Sequence, residues 1–305
     1  MNRFSKPPVH VRRAVPLLRS DGRRVGYPAQ SDARAWAVPR GSPRRGLTLI
    51  ELLIAVSIMA MVVGTLGALA HGVQLAFEYT EGQGLATQHA RIVLDRIARH
   101  VEEATASEHF PGFLVVPQVE GGEEFPEVLV VWHPSGQPAD AKGLPRYNEL
   151  VIYAPDLSMP SQLLEIMAPQ DGRTVPPISD MPRWRSELNA LRGSSRAESF
   201  VLTDLLRMCS TTGIGGSSGW RGAVRFQSTV RPSEADWASY KSGERDWAEL
   251  PWVQGIYGSR NGMREAALQV ELQLLPGGAP VVADANTHVA MPFFGAAALY
   301  YQLER

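Results

Sequence analysis

The feature that most constrains this chain is one long apolar run over residues 47–76. Between Leu47 and Ala76 it carries a single formal charge, at Glu51, and no Lys or Arg follows Gly46 until Arg91. An α-helix rises about 1.5 Å per residue, so about 20 apolar residues cross the hydrocarbon core of a membrane. The run therefore predicts one membrane-spanning helix, with residues to spare.

Charge is distributed unevenly on the two sides of this run. Residues 1–46 contain 11 of the 30 Lys and Arg but only 2 of the 31 Asp and Glu. Their net charge is therefore about +9, and the net charge of the rest of the chain is about −10. Basic residues stay on the cytoplasmic side of a span, so we expect a cytoplasmic N-terminus and an extracytoplasmic C-terminal domain. A net acidic domain also argues against a nucleic-acid partner. Residues 1–46 hold six prolines and no apolar period, which predicts a disordered leader.

The head of the apolar run has a distinctive arrangement, reading RRGLTLIEL from Arg44 to Leu52. A carboxylate inside a membrane is costly unless it finds a partner, so Glu51 marks a candidate functional position. The segment closely resembles the processing site of prepilins, the precursors of type IV pilins and of type II secretion pseudopilins. That family most often has Phe where this chain has Leu47, which is a departure from the pattern.

The resemblance implies a role for each of three residues. A prepilin peptidase would cut between Gly46 and Leu47, removing residues 1–46, and Leu47 would become the methylated N-terminus. Glu51 would pair with the terminal amine of a neighbouring subunit during filament assembly. An amine and a carboxylate attract strongly in low dielectric, whereas either alone pays a large desolvation cost. The alternative is a Glu that reaches the membrane interface of a plain anchor.

The resemblance also implies partners and a location. The partners are other pilin or pseudopilin subunits, the prepilin peptidase, the assembly platform of the inner membrane, and membrane lipid. The location is the cytoplasmic membrane, with a single span, and a filament after assembly.

Small residues recur every four positions in the run. They are Ala60, Gly64, Ala68 and Gly72, followed by Ala76. Such a stripe lets helices pack closely in a membrane or a filament core. Ala and Gly are also common in such helices without any packing role, so both interpretations stand.

Residues 80–106 continue the helix with an amphipathic pattern. Apolar residues such as Leu85, Ile97 and Val101 recur at three- and four-residue steps, with most charges elsewhere. Gly82 and Gly84 are points where this helix could break. The stretch is similar to the helix that follows the span in the larger minor pseudopilins, especially the J type.

Beyond the helix the pattern is that of strands and loops. Residues 110–116 and 125–131 are similar to each other and predict a hairpin. Residues 149–154 and 163–167 predict two more strands. Residues 267–275 alternate apolar and polar side chains, as a strand with one buried face does, and residues 296–303 should pair with it.

These elements predict an α+β, pilin-like fold. Its long N-terminal helix, residues 47–107, would span the membrane in its first half and pack on an antiparallel sheet in its second. The globular domain would be residues 108–305 and would contain an inserted block at about 183–252. Within that block, residues 187–191 and 198–208 look helical and residues 213–219 form a Gly- and Ser-rich loop. We expect its three tryptophans to pack the block onto the sheet, and they are Trp237, Trp247 and Trp252.

Catalytic and metal chemistry is not indicated. Residues 215–219 match a Gly-x-Ser-x-Gly nucleophile motif around Ser217, but lack the strand before it and the helix after it. Cys209 is the sole cysteine, so no intramolecular disulfide is possible, and we expect a small buried hydrophobe. Asp284 with Asn286 supplies too few oxygen ligands for calcium. His89, His100 and His109 occupy surface-like positions without metal-ligand spacing. We expect no metal, no cofactor and no enzymatic activity.

Three functions fit these observations. The first is a minor pseudopilin of a type II secretion system, near the filament tip, because about 260 residues after Gly46 is large for a major subunit. The second is a minor pilin of a type IV pilus or DNA-uptake filament, which a neighbouring secretin, ATPase or competence gene would distinguish. The third is a membrane-anchored exported binding domain, which would show a pocket lined by convergent polar groups within residues 183–252.

Overall fold

A computed structural model describes residues 46–194, 196–212, 218–254, 260–276 and 290–303. The chain divides into two compact units, Met1–Met61 and Val62–Arg305. The helices are α1 (Leu49–Glu102), α2 (Met181–Arg192), α3 (Glu234–Lys241) and α4 (Pro251–Gln254). The strands are β1 (Phe113–Glu120), β2 (Glu123–Trp132), β3 (Leu150–Pro155), β4 (Leu163–Met167), β5 (Glu198–Thr203), β6 (Met208–Thr212), β7 (Ser218–Gly222), β8 (Val224–Arg231), β9 (Met263–Leu274) and β10 (Met291–Gln302). The α+β architecture is as predicted.

The helix α1 changes character along its length. Residues 49–81 are exposed on every side, and an 18-residue window within the helix has a mean hydropathy of 2.4 with none of it buried. From Gly82 onward one stripe becomes buried at steps of three and four residues. Gly82 and Gly84 do not interrupt the helix, which ends at Glu102 rather than near residue 106. An exposed apolar segment followed by an amphipathic one fits a membrane span joined to a domain helix.

The strands form three antiparallel sheets. A five-stranded sheet has the order β1-β2-β3-β4-β5, a three-stranded sheet has the order β10-β9-β8, and β6 pairs with β7. The predicted hairpin is confirmed, since β1 and β2 pair from Phe113 with Val131 to Glu120 with Glu123. Its two turn residues, Gly121 and Gly122, have φ of 61° and 86°. Two positive φ values in a two-residue turn match the twist of a hairpin and favour glycine.

Both faces of the five-stranded sheet are buried. On one face, Leu129, Val131 and Val151 pack in a core with Val93, Ile97 and Val101 of α1 and with the inner face of the three-stranded sheet. On the other face, Val130, Ile152 and Ile166 pack with Trp184, Leu188 and Leu191 of α2. Strands buried on both faces read as continuous apolar runs rather than alternating ones, which explains the sequence of β2 and β3.

The three-stranded sheet confirms the second predicted pairing. β9 and β10 pair over their full length, from Met263 with Gln302 to Leu274 with Met291. Along β9 the side chains alternate between buried and more exposed positions, as the sequence indicates. Gly295 lies where β10 approaches α1, because a Cβ added there would be 2.9 Å from Cδ2 of Leu94.

One helix prediction is wrong. Residues 198–208 contain the strand β5, which pairs with β4 in the order Met167 with Glu198 to Leu163 with Thr203. Pairing with an existing sheet edge outweighs local helix preference for a segment that contains Phe200 and Val201, both good strand residues. The helix predicted at residues 187–191 is confirmed within α2, whose N-cap Asp180 accepts a hydrogen bond from the Arg183 amide at 3.2 Å.

The block at residues 183–252 contributes to both large sheets. Its strand β5 joins the five-stranded sheet and its strand β8 pairs with β9. Trp237 and Trp247 form a separate cluster with Leu250, against which Trp252, Met263 and Leu303 pack. Residues 213–217 of the predicted loop and residues 280–287 lie outside the described part of the chain.

Polar contacts join α1 to the five-stranded sheet. The carboxylate of Glu165 on β4 is 1% exposed and accepts from the Arg96 guanidinium, with Nη2 and Oε1 at 2.7 Å. One turn further along α1, Nδ1 of His100 lies 2.5 Å from the Tyr153 hydroxyl of β3. His89 likewise contacts the Thr203 hydroxyl at 3.1 Å. Two of the three histidines expected at the surface are therefore half-buried against the sheet.

The His100 ring lies among several ionisable groups. The His133 ring, just after β2, has its centroid 4.6 Å away and its Nε2 is 3.3 Å from a Glu103 oxygen. Burial lowers the pKa of His100, the neighbouring His133 and Arg96 side chains lower it further, and the carboxylates of Glu165 and Glu103 oppose this. The neutral imidazole is thus the form that this packing favours.

The first prediction concerns the buried stripe of α1. Ile97 is 1% exposed and Ile92, on the same helix, is 53% exposed. Replacing Ile97 with Ala should cost about 2–5 kcal/mol of unfolding free energy, because it removes buried methyl groups and leaves a cavity. Ile92→Ala is the matched control and should change stability by about 0.5 kcal/mol or less. Urea unfolding of the full chain in detergent, followed by tryptophan fluorescence, measures both; equal effects would contradict the packing.

The second prediction concerns pH. An unfolded histidine titrates near about pH 6.5, whereas folded His100 has a lower pKa. As the pH falls through the unfolded pKa, the unfolded state binds more protons than the folded state does. The free energy of unfolding should therefore fall as the pH drops from 7 towards 5. His100→Gln should flatten this dependence, and His109→Gln, at an exposed position, should not. Melting temperatures across this pH range test it, and an unchanged slope in His100→Gln would refute the assignment.

Candidate functional site

The candidate site is the start of α1, where the predicted residues lie within one turn. Thr48 is the residue before the helix and Glu51 is in its first turn. The Oε2 atom of Glu51 accepts from the Thr48 amide at 2.9 Å and from the Thr48 hydroxyl at 3.1 Å. In return, the Glu51 amide donates to the Thr48 hydroxyl at 3.3 Å.

This reciprocal arrangement is a capping box, which satisfies backbone N–H groups that have no partner inside the helix. The Leu52 amide donates to the Thr48 carbonyl at 3.2 Å, which closes the first helical turn. A Thr followed three residues later by Glu is the sequence signature of this motif. Interpreting Glu51 as an assembly carboxylate or as an interfacial residue of a plain anchor misses this local role, although its signature is present in the sequence.

Glu51 is nevertheless exposed in the single chain, as are Leu47 and Thr48. Among the described residues, Thr48 is the only hydrogen-bond partner of its carboxylate. The negative charge is placed at the N-terminal end of a helix, where the backbone dipole favours it. The carboxylate can therefore be held in place by its own chain and still face a cation from outside.

Gly46 and Leu47 lie just before the helix begins, in a segment without helical or strand pairing. A Cβ added to Gly46 would meet no atom within 4 Å. The fold itself therefore places no demand for glycine at this position. A requirement for Gly46 would have to come from another molecule that handles this segment.

The small-residue stripe of α1 is exposed in the single chain. Ala60, Gly64, Ala68 and Gly72 all lie on the exposed part of the helix. Added Cβ atoms at Gly64 and Gly72 would meet nothing within 4 Å. The described structure does not use the stripe for packing, and its role in contact with other helices stays a prediction.

The remaining sequence candidates do not converge on a second site of this kind. Ser217, Asp284 and Asn286 lie outside the described residues. Cys209 is a free thiol on β6 and is half-buried rather than fully buried. Within the described ranges, no group of three or more His, Cys, Asp or Glu side chains could hold a metal ion.

Comparison with known proteins identifies the N-terminal segment. Residues 41–67 match the family model described as the prokaryotic N-terminal methylation motif, and the match covers Gly46, Leu47 and Glu51. No curated protein and no solved structure matches the chain. The matched segment also contains the first part of the apolar helix, which fits anchoring in a membrane by a single span. The N-terminal segment thus carries the methylation motif, which supports a prepilin-type protein, a pilin or pseudopilin.

Proposed function

We propose that this chain is a minor subunit of a type II secretion pseudopilus, located near the filament tip. The observation that carries the proposal is the methylation motif at residues 41–67, placed at the head of an exposed apolar helix. The large α+β domain that follows, with its two cores, supports a minor rather than a major subunit. Pilins and pseudopilins are structural proteins, so the function is assembly and not catalysis.

Processing precedes assembly in this proposal. The prepilin peptidase cuts between Gly46 and Leu47, discards residues 1–46 and leaves Leu47 as the methylated N-terminus. The basic leader holds the N-terminus in the cytoplasm while the domain that follows α1 is exported. The chain is then stored in the cytoplasmic membrane, where the assembly platform takes it up.

Assembly uses the charge at the start of α1. In the membrane, a lone carboxylate pays a desolvation cost that an amine from the next subunit offsets. The cap formed by Thr48 holds the Glu51 carboxylate beside the helix start, so its orientation is set before the neighbour arrives. The small residues Ala60, Gly64, Ala68 and Gly72 give that neighbour's helix room for close contact.

A type IV pilus or DNA-uptake filament is the second candidate, since its minor pilins share the same N-terminal motif and helix. The neighbouring genes distinguish the two candidate functions. A deletion strain also distinguishes them, because it shows which filament loses its function. Loss of protein secretion supports the first candidate, and loss of twitching or of DNA uptake supports the second.

The third prediction tests processing. Gly46→Val should leave the full-length precursor in the membrane, because the peptidase requires a small residue before the cut. Gly67→Val is the matched control, since an added Cβ meets nothing within 4 Å at either position, and it should be cleaved normally. Immunoblots of membrane fractions separate precursor from product by the 46-residue leader. Normal cleavage of Gly46→Val would rule out this processing site.

The fourth prediction separates capping from assembly. Glu51→Gln keeps an oxygen that accepts from Thr48 but removes the charge, whereas Thr48→Ala removes the capping hydroxyl and keeps the charge. If the charge pairs with a neighbouring amine, Glu51→Gln should be cleaved but fail to enter filaments, and Thr48→Ala should enter them. The fraction of subunit recovered in sheared filaments measures this. The opposite ranking would make Glu51 a capping residue alone.

A further inference from the structure

A broad groove lies on the C-terminal domain, between α3, the segment just after α1 and the end of β10. Its volume is about 830 Å³, which lies within the range of about 300–1,000 Å³ that is usual for ligand sites. Its lining includes Trp237, Tyr240 and Lys241 of α3, together with Glu108 and Lys142. Only part of its lining comes from the block at residues 183–252, so it differs from a pocket formed within that block alone.

Two side chains of the groove lining, Trp237 and Tyr240, belong to an aromatic cluster. Their rings lie 5.4 Å apart, and the centroid of the Trp247 ring is 5.2 Å from that of Tyr240. Trp237 is only 7% exposed, whereas Tyr240 is half-buried and borders the groove. The guanidinium of Arg264 packs over the Trp237 ring at 5.2 Å and bonds to Glu234 at 2.6 Å. The apolar surface is therefore held in place before any ligand arrives.

Four charged side chains at the groove are joined in two ion pairs. Lys241 forms an ion pair with Glu108, and this contact holds the pKa of the Glu108 carboxyl below its usual range. Nη1 of Arg245 lies 3.1 Å from an Asp236 oxygen. An anionic or cationic ligand would have to break these pairs to gain a partner of its own. Paired side chains still offer N–H donors and oxygen acceptors to a neutral ligand.

These two properties select one class of ligand. A sugar ring has an apolar C–H face that packs on an aromatic ring, and hydroxyl groups at its edge that both donate and accept hydrogen bonds. The groove supplies the aromatic side chain and the polar rim together. We propose that this groove binds a neutral oligosaccharide, a function that does not depend on how the subunit is processed or assembled.

Binding can be followed through the fluorescence of Trp237, which lines the groove, and of its neighbour Trp247. The full chain, in a detergent without a sugar headgroup, is titrated with neutral hexasaccharides of glucose, mannose and N-acetylglucosamine while tryptophan fluorescence and heat release are recorded. At least one should give a saturable signal. Tyr240→Ala should weaken that binding by about tenfold or more, through loss of the aromatic contact. Lys241→Met, which removes the rim donor, should weaken it as well.

Two controls keep the test decisive. Tyr300→Ala removes an exposed tyrosine of β10 that does not line the groove and should bind as the unaltered chain does. Melting temperatures within a few degrees of the unaltered chain show that Tyr240→Ala and Lys241→Met still fold. Absence of a signal with all three sugars, equal binding by the groove variants, or preference for a polyanionic sugar or for hexaglycine would each overturn the proposal.

Discussion

Burial of one stripe of α1 between two sheets is the contact on which the domain depends. Val93, Ile97 and Val101 pack against the five-stranded sheet and the three-stranded sheet together. Gly295 lets β10 approach Leu94 of the same helix. The second half of α1 therefore belongs to the core that lies between the two sheets, and a change there reaches both of them.

The two parts of α1 have surfaces suited to different environments. Its first part is apolar on all sides and exposed, which only a membrane or other helices can stabilise. The second part of the helix packs an apolar stripe against the sheets and carries polar side chains next to that stripe. Arg96 and His100 extend that polar edge to Glu165 and Tyr153, so the helix is held by polar contacts at the border of its buried stripe. This division explains how one continuous element can serve as anchor and as core.

Much of the fold was predictable because the signals were local. Alternation along β9, the repeated segments of the β1–β2 hairpin and the period of α1 each predict an element within a short window. The strand β5 was not predictable in this way, because pairing with β4 decides its structure. The contacts of His89 and His100 depend on which strands lie beside α1, which no local pattern reports. At the candidate site, the roles of Gly46, Leu47 and Glu51 are proposed from resemblance, whereas the capping bonds of Thr48 are seen in the geometry.

The N-terminal segment and the C-terminal domain support two separate proposals. The methylation motif and the exposed helix concern how the chain is processed and assembled. The aromatic groove concerns what the exported domain can bind. A filament subunit with a ligand groove would combine a structural role with recognition, and each part can fail without the other.

Maturation as a prepilin is tested first by the intact mass and N-terminal sequence of the protein purified from its native membrane. We expect a chain that begins at Leu47 and is heavier than calculated by one methyl group. A chain that retains residues before Gly46 would contradict it and would leave a plain membrane anchor.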